Sequence, residues 1–232
     1  MLLLAIDTSG KNGGIALVEV STGQSRVDVL EVMSLDGGAF SAQLVPQIAT
    51  LLEKHGHNKN DLRGFAVVSG PGSFTGLRVG LAAIKALAEV LQQPIAALSL
   101  LEAVARNSSS HGRLLAILDA GRREIYVGDF EIDPRNASMV RMHSERLMTR
   151  EKFLAEAQAA NSSKTIVTPD STLAAALRDD EIHVELIDYP NTGVIAQMGW
   201  ERLQRGDTVL PEALQANYLG HSDAEIFSKP PR

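Results

Sequence analysis

The chain has 232 residues, 44% of them hydrophobic, and a formal charge of -6. That is enough apolar material for a buried core in one or two domains, but no broad basic surface that would grip phosphate backbones unaided. The absence of cysteine excludes disulfides, thiolate metal sites and thiol nucleophiles and suits a reducing, cytoplasmic setting. No apolar run approaches the roughly 20 residues that span a bilayer, so no membrane association is expected.

Met1 leads straight into "LLLAIDTS" without a basic segment before it, which reads as a strand and not as a signal peptide. "LLLAID" (2–7), "GGIALVEV" (13–20) and "RVDVLEVMSL" (26–35) are β-rich runs parted by Ser, Gly and Thr turns, the pattern of an antiparallel meander. A helical pattern covers Phe40 to His55, followed by the strand "GFAVVSG", a long helix Phe74–Leu91, the short strand "IAAL" and a helix from Ser99. From His111 the order restarts: "RLLAILDA", "EIYVGDFEI" and "MVRMHSERLM" as strands, helix 149–160, strand "KTIVT", helix 170–178, strand "HVELID" and helix 191–205. Both halves read β-β-β-α-β-α, an α/β fold of two similar subdomains facing each other across a cleft. The serine-rich "RNSSSHGR" (106–113) suggests subdomains 1–105 and 106–232, with a late helix free to return to the first.

In such a fold, ligands approach loops at strand ends. "DTSGKNGG", "SGPGSFTG" and "DAGRRE" qualify, which makes Asp7, Ser9, Gly70, Gly72, Ser73 and Asp119 the candidate nucleotide-loop residues. Glycines let backbone amides approach a phosphate, and the helix start at Phe74 offers unpaired N–H groups. The same residues also read as a tight turn with Ser73 or a neighbour as N-cap, and neither a Walker A nor a Rossmann glycine pattern is present. Asp7 and Asp119 are open to two roles, orienting a metal or water, or forming turns.

On a wheel at roughly 100° per residue, Arg78, Lys85 and Glu89 of the long helix share one narrow polar stripe. Val79, Ala83, Ala86, Leu87 and Val90 cover one flank; Leu77, Leu81, Ile84, Ala88 and Leu91 cover the other. Surface helices normally show a single apolar face. The preceding helix, with Leu44, Ile48, Leu51 and Leu52, either buries the surplus or joins it in an apolar docking patch for another protein.

"LLAIDTS", "VVSGPGSFTGLRVGLAAIKALA", "LDAGRREIYVGDF" and "ANYLGHSDAE" together resemble the bacterial TsaB (YeaZ) family, the non-catalytic members of the tRNA threonylcarbamoyladenosine machinery. The resemblance implies an actin/Hsp70/sugar-kinase (RNase H-like) fold and a scaffold that docks on the catalytic paralogue TsaD and works with the ATPase TsaE. It further implies a homodimer when isolated, tRNA contacted only through the complex, no cofactor required by this chain, and ATP with Mg²⁺ at the level of the complex. The candidate interface is then Leu44, Ile48, Leu51, Leu77, Val79, Leu81, Ala83, Ile84 and Leu87, with no catalytic or metal-binding residue. Where the catalytic paralogue carries a His-x-x-x-His metal pair, this chain has Leu100 and Val104, and its six histidines contain no i, i+4 pair. No grouping points to peptidase chemistry. The competing class is an ATP-dependent phosphotransferase or ATPase of the same fold, using Asp7 and Asp119 about Mg²⁺.

Overall fold

The structure is a computed structural model that describes residues 1–21, 26–134, 136–159 and 164–219. The family-like block at 216–225 therefore lies partly outside the described residues, as do His221 and the last residue of the helix expected over 149–160. The described residues form two compact units, those of Met1–Ala103 with Pro190–Ala216, and those of Val104–Tyr189 with 217–219.

In the first unit, β1 (Leu2–Asp7), β2 (Gly13–Glu19) and β3 (Asp28–Leu35) form the antiparallel meander. Helix α1 (Phe40–Lys54), β4 (Leu62–Gly70), α2 (Phe74–Leu91), β5 (Ile95–Ser99) and α3 (Leu100–Arg106) follow. Strands β4 and β5 add in parallel, giving the order β3-β2-β1-β4-β5. In the second unit, β6 (Gly112–Gly121), β7 (Glu124–Asp133), β8 (Asn136–Thr149), α4 (Arg150–Ala159), β9 (Thr165–Thr168), α5 (Ser171–Asp179) and β10 (Val184–Leu186) repeat the plan. Its sheet order is β10-β9-β6-β7-β8, with β6–β7 and β7–β8 antiparallel and β6–β9 and β9–β10 parallel. The duplicated β-β-β-α-β-α order read from the sequence is the order found.

Two boundaries shift for a local reason. The expected strand "HVELID" is trimmed to Val184–Leu186, because its pairing partner β9 is only four residues long and the register ends at Leu186↔Thr168. A 3-10 turn at Lys59–Asp61, tied by reciprocal bonds between Asn58 and Asp61, leads into β4, where the sequence shows only a polar stretch.

The run "LLLAID" is buried at every position because its sheet is covered on both faces. Leu2, Leu4, Ile6, Ile15, Leu17, Phe65 and Val67 join one apolar cluster with α1 and α2. The opposite face carries α6 (Thr192–Arg205), which packs on β1, β4, β2 and β5. Ala66 belongs to that face, and Gly199 lies against it so closely that no side chain would fit between them. Helix α6 starts at Asn191, whose side chain accepts from the amides of Gly193 and Val194, and it stops at left-handed Gly206. The core of the second unit joins Ile117, Ile125, Val127 and Met148 of the sheet to Phe153 of α4 and Leu173 and Leu177 of α5.

Asp129 is buried in the second sheet, where its carboxylate accepts from Arg113 Nε at 3.0 Å and from Lys164 Nζ at 2.8 Å. Burial alone would push this carboxyl up; the two cations outweigh it and hold it below the ordinary carboxylate value. A depressed carboxyl stabilises the fold above its unfolded pKa, about 3.9, and that contribution is lost as pH falls through the folded value. Asp129→Asn is therefore expected to lower stability at neutral pH and to flatten the acid limb of the stability curve, read from urea melts across the acid range.

Candidate functional site

Parallel pairing of β1 with β4, in the register Ile6↔Val67, brings the carboxyl ends of both strands to one edge of the first sheet. There the loop Asp7-Thr8-Ser9 meets the start of α2, and all three residues are buried. The Asp7 carboxylate accepts from the amide of Ser9 at 2.8 Å and from its hydroxyl. The Ser9 carbonyl accepts from the Ser73 amide at 2.7 Å, and the Ser73 hydroxyl caps α2 by accepting from the amide of Gly76. Thr8 Oγ1 donates to the Gly76 carbonyl at 2.7 Å.

Of the candidate nucleotide-loop residues, Asp7, Ser9, Gly70, Gly72 and Ser73 thus belong to one edge of the first unit, and the contacts described join Asp7, Ser9 and Ser73 to one another. Asp119 belongs to the second unit. It is exposed at the end of β6, and its carboxylate accepts from the Gly121 amide at 3.2 Å, the bond of a turn former.

Thr8 escaped the sequence reading. The signal available for it is the spacing of Gly76 and Gly80, one helical turn apart. A methyl on Gly76 would overlap the Thr8 carbonyl, and one on Gly80 would overlap the Thr8 hydroxyl. The two glycines make a seat in which a side chain from β1's loop lies directly on the helix backbone.

The two flanks of α2 have different fates. Leu77, Leu81 and Ile84, with Leu44, Ile48 and Leu51 of α1, are buried in the subunit's own core. These six are corrected from interface to core, because they face the sheet and one another. Val79, Ala83 and Leu87 remain half-buried at the border of that core. Beyond them the surface is open: Ala82 and Ala86 are exposed, Val90 is 72% exposed, and Val45 of α1 is 64% exposed. Arg78 stacks on the Phe74 ring, 3.7 Å from its centroid, which holds a guanidinium beside the open flank. Val45 was not singled out from the sequence, because it precedes Pro46 inside a helix whose other large apolar residues turn inward.

Leu100 and Val104, at the positions of the paralogue's metal pair, are buried. Among the described residues no three His, Asp or Glu side chains gather in a metal-binding group. His55 faces Glu31 at 2.8 Å, His57 lies near Glu19 and Asp61, and His143 lies near Glu131; each of these contacts joins a histidine to a carboxylate. No helix among the described residues is long and apolar enough to cross a membrane.

Against known proteins, residues 37–170 match the family model described as TsaD, tRNA N6-adenosine threonylcarbamoyltransferase, which is more than half of the chain. The Bacillus subtilis (strain 168) tRNA threonylcarbamoyladenosine biosynthesis protein TsaB is 36% identical over 132 residues, 56% of this chain and 56% of that protein. Its Escherichia coli (strain K12) namesake is 27% identical over 136 residues, 57% of this chain and 56% of that protein. The chain spans about half the length of the curated relatives it matches. A crystal structure from Pseudomonas aeruginosa, described as an uncharacterized protein with similarity to peptidase YEAZ, aligns with a TM-score of 0.75 at 24% identity, over 94% of this chain and 99% of that one. That likeness is one of fold.

Proposed function

We propose, from the premise that this chain belongs to the TsaD family and within it to the TsaB (YeaZ) branch, that it is a non-catalytic accessory subunit in the synthesis of threonylcarbamoyladenosine on tRNA. In this reading it docks on a TsaD-like catalytic paralogue and acts with a TsaE-like ATPase in the cytoplasm. The observation that carries the reading is the open flank of α2. Val79, Ala83, Leu87 and Val90 continue outward from a core that the subunit has already closed with Leu77, Leu81 and Ile84. An apolar flank left open beside a complete core fits a partner. The isolated chain covers the same flank by self-association, so homodimer and heterodimer compete for it. Holding tRNA falls to the complex, since a chain of charge -6 has little to offer a phosphate backbone alone. ATP and Mg²⁺ act at the level of the complex.

The test is co-purification with the TsaD-like paralogue, together with nucleotide titration of the isolated chain. Absence of association would end the reading. Tight Mg²⁺-dependent ATP binding with turnover would replace it by a phosphotransferase or ATPase.

A second measurement bears on chemistry. Asparagine retains the acceptor oxygen that Asp7 offers to Ser9 and that Asp119 offers to Gly121. Asp7→Asn and Asp119→Asn are each expected to leave tRNA modification by a reconstituted system within about tenfold of wild type, about one decade of rate. A larger loss with folding and assembly intact would make that carboxylate catalytic.

A further inference from the structure

Resting on this docking role, we infer that Thr8 is a positioning residue for the docking flank of α2, acting through the two-glycine seat. The inner flank of α2 lies on aliphatic side chains, and such contact is non-directional. It sets depth and crossing angle, and a directional contact adds a fixed point along the helix axis. The directional contacts described for the first turns of α2 come from the loop after β1: the Thr8 hydroxyl to the Gly76 carbonyl, and the Ser9 carbonyl to the Ser73 amide. Thr8 is 1% exposed, so its hydroxyl is shut off from bulk solvent.

Because Gly76 and Gly80 present no Cβ, no intervening side chain can rotate to absorb a displacement of Thr8. Val79 and Ala83 stand one residue before and three residues after Gly80, so a movement of the seat is a movement of the flank. The Ser9 hydroxyl is committed to Asp7, and Ser73 caps α2 from the helix's own N-terminus and moves with it, which leaves the Thr8 hydroxyl as the described side-chain bond that ties the helix to the loop after β1.

The test uses the full chain and the TsaD-like paralogue, with titration calorimetry for affinity and thermal melts for stability. Thr8→Val keeps the volume and removes the donor; Thr8→Ser keeps the donor; Ile15→Val trims the same core on β2, remote from the seat in sequence and at a fully buried position. The expected result is a folded Thr8→Val protein that binds the paralogue about tenfold more weakly, about one decade in Kd. Thr8→Ser is expected within about twofold of wild type, and Ile15→Val is expected to lower Tm without moving Kd. Wild-type affinity in Thr8→Val overturns the inference, and so does an equal loss in Ile15→Val, which would trace the effect to stability alone. If wild type itself binds no paralogue, the docking role and this inference fall together; if wild type binds and Thr8→Val binds equally, only the inference falls.

Discussion

Leu81→Glu is expected to lose most of its folding stability, whereas Val79→Glu, two residues away on the same helix, is expected to stay folded and, in the docking role proposed above, to lose its partners. Leu81 is 5% exposed within the cluster formed by the first sheet, α1 and α2. A carboxylate there would be placed among aliphatic side chains, and replacing a buried leucine by a charge costs about 4 kcal/mol or more. That is a large part of the roughly 5–15 kcal/mol by which domains are stable. Val79 touches the same cluster only from its border, so its charged replacement can turn toward water. Val90→Glu, at the most exposed apolar position of α2, serves as the companion that touches no core. Circular dichroism melts report folding, light scattering reports self-association, and pull-down with the TsaD-like paralogue reports docking. Val79→Glu and Val90→Glu proteins that remain dimeric and still dock would move the interface to another surface. A Leu81→Glu protein that melts like wild type would contradict the burial of the inner flank.

The second large effect runs against helix propensity. Glycine to alanine inside a helix normally stabilises by about 1 kcal/mol, yet Gly76→Ala is expected to destabilise by about 1–3 kcal/mol, the scale of overpacking a closed site. The new methyl meets the Thr8 backbone carbonyl, and backbone cannot rotate out of the way. Gly80→Ala meets the Thr8 hydroxyl instead, so it is expected to cost less and to be relieved in part by Thr8→Ala. A double-mutant cycle on Gly80 and Thr8, read from urea melts, should return a favourable coupling. Additive losses would mean that the two residues do not share the seat.

The fold is a duplicated α/β arrangement, two mixed five-stranded sheets with flanking helices, and much of it was open to reading because its signals are local. Alternating and continuous apolar runs ended by Gly, Ser and Pro mark the strands and helices to within a few residues. The exceptions, such as the trimmed β10, depend on how long a neighbouring strand is. The candidate site was less legible. Its loops could be named from their glycines and aspartates, but whether their hydroxyls and amides await a ligand or satisfy one another is a matter of distances between residues 68 apart in sequence, as for Thr8 and Gly76.

By itself, the sequence determined that α2 has two apolar flanks and that its glycines permit close approach. Which flank is core was not settled by hydrophobicity, because leucine and alanine lie on both. The tertiary structure decided which flank is core, since only one can face the sheet while Gly76 and Gly80 admit Thr8. It also decided that α6, distant in sequence, lies on the first sheet, where Ala66 and Gly199 leave room for the helix to come down onto the strands. Shape at such contacts is a property of two segments together, and neither segment carries it alone.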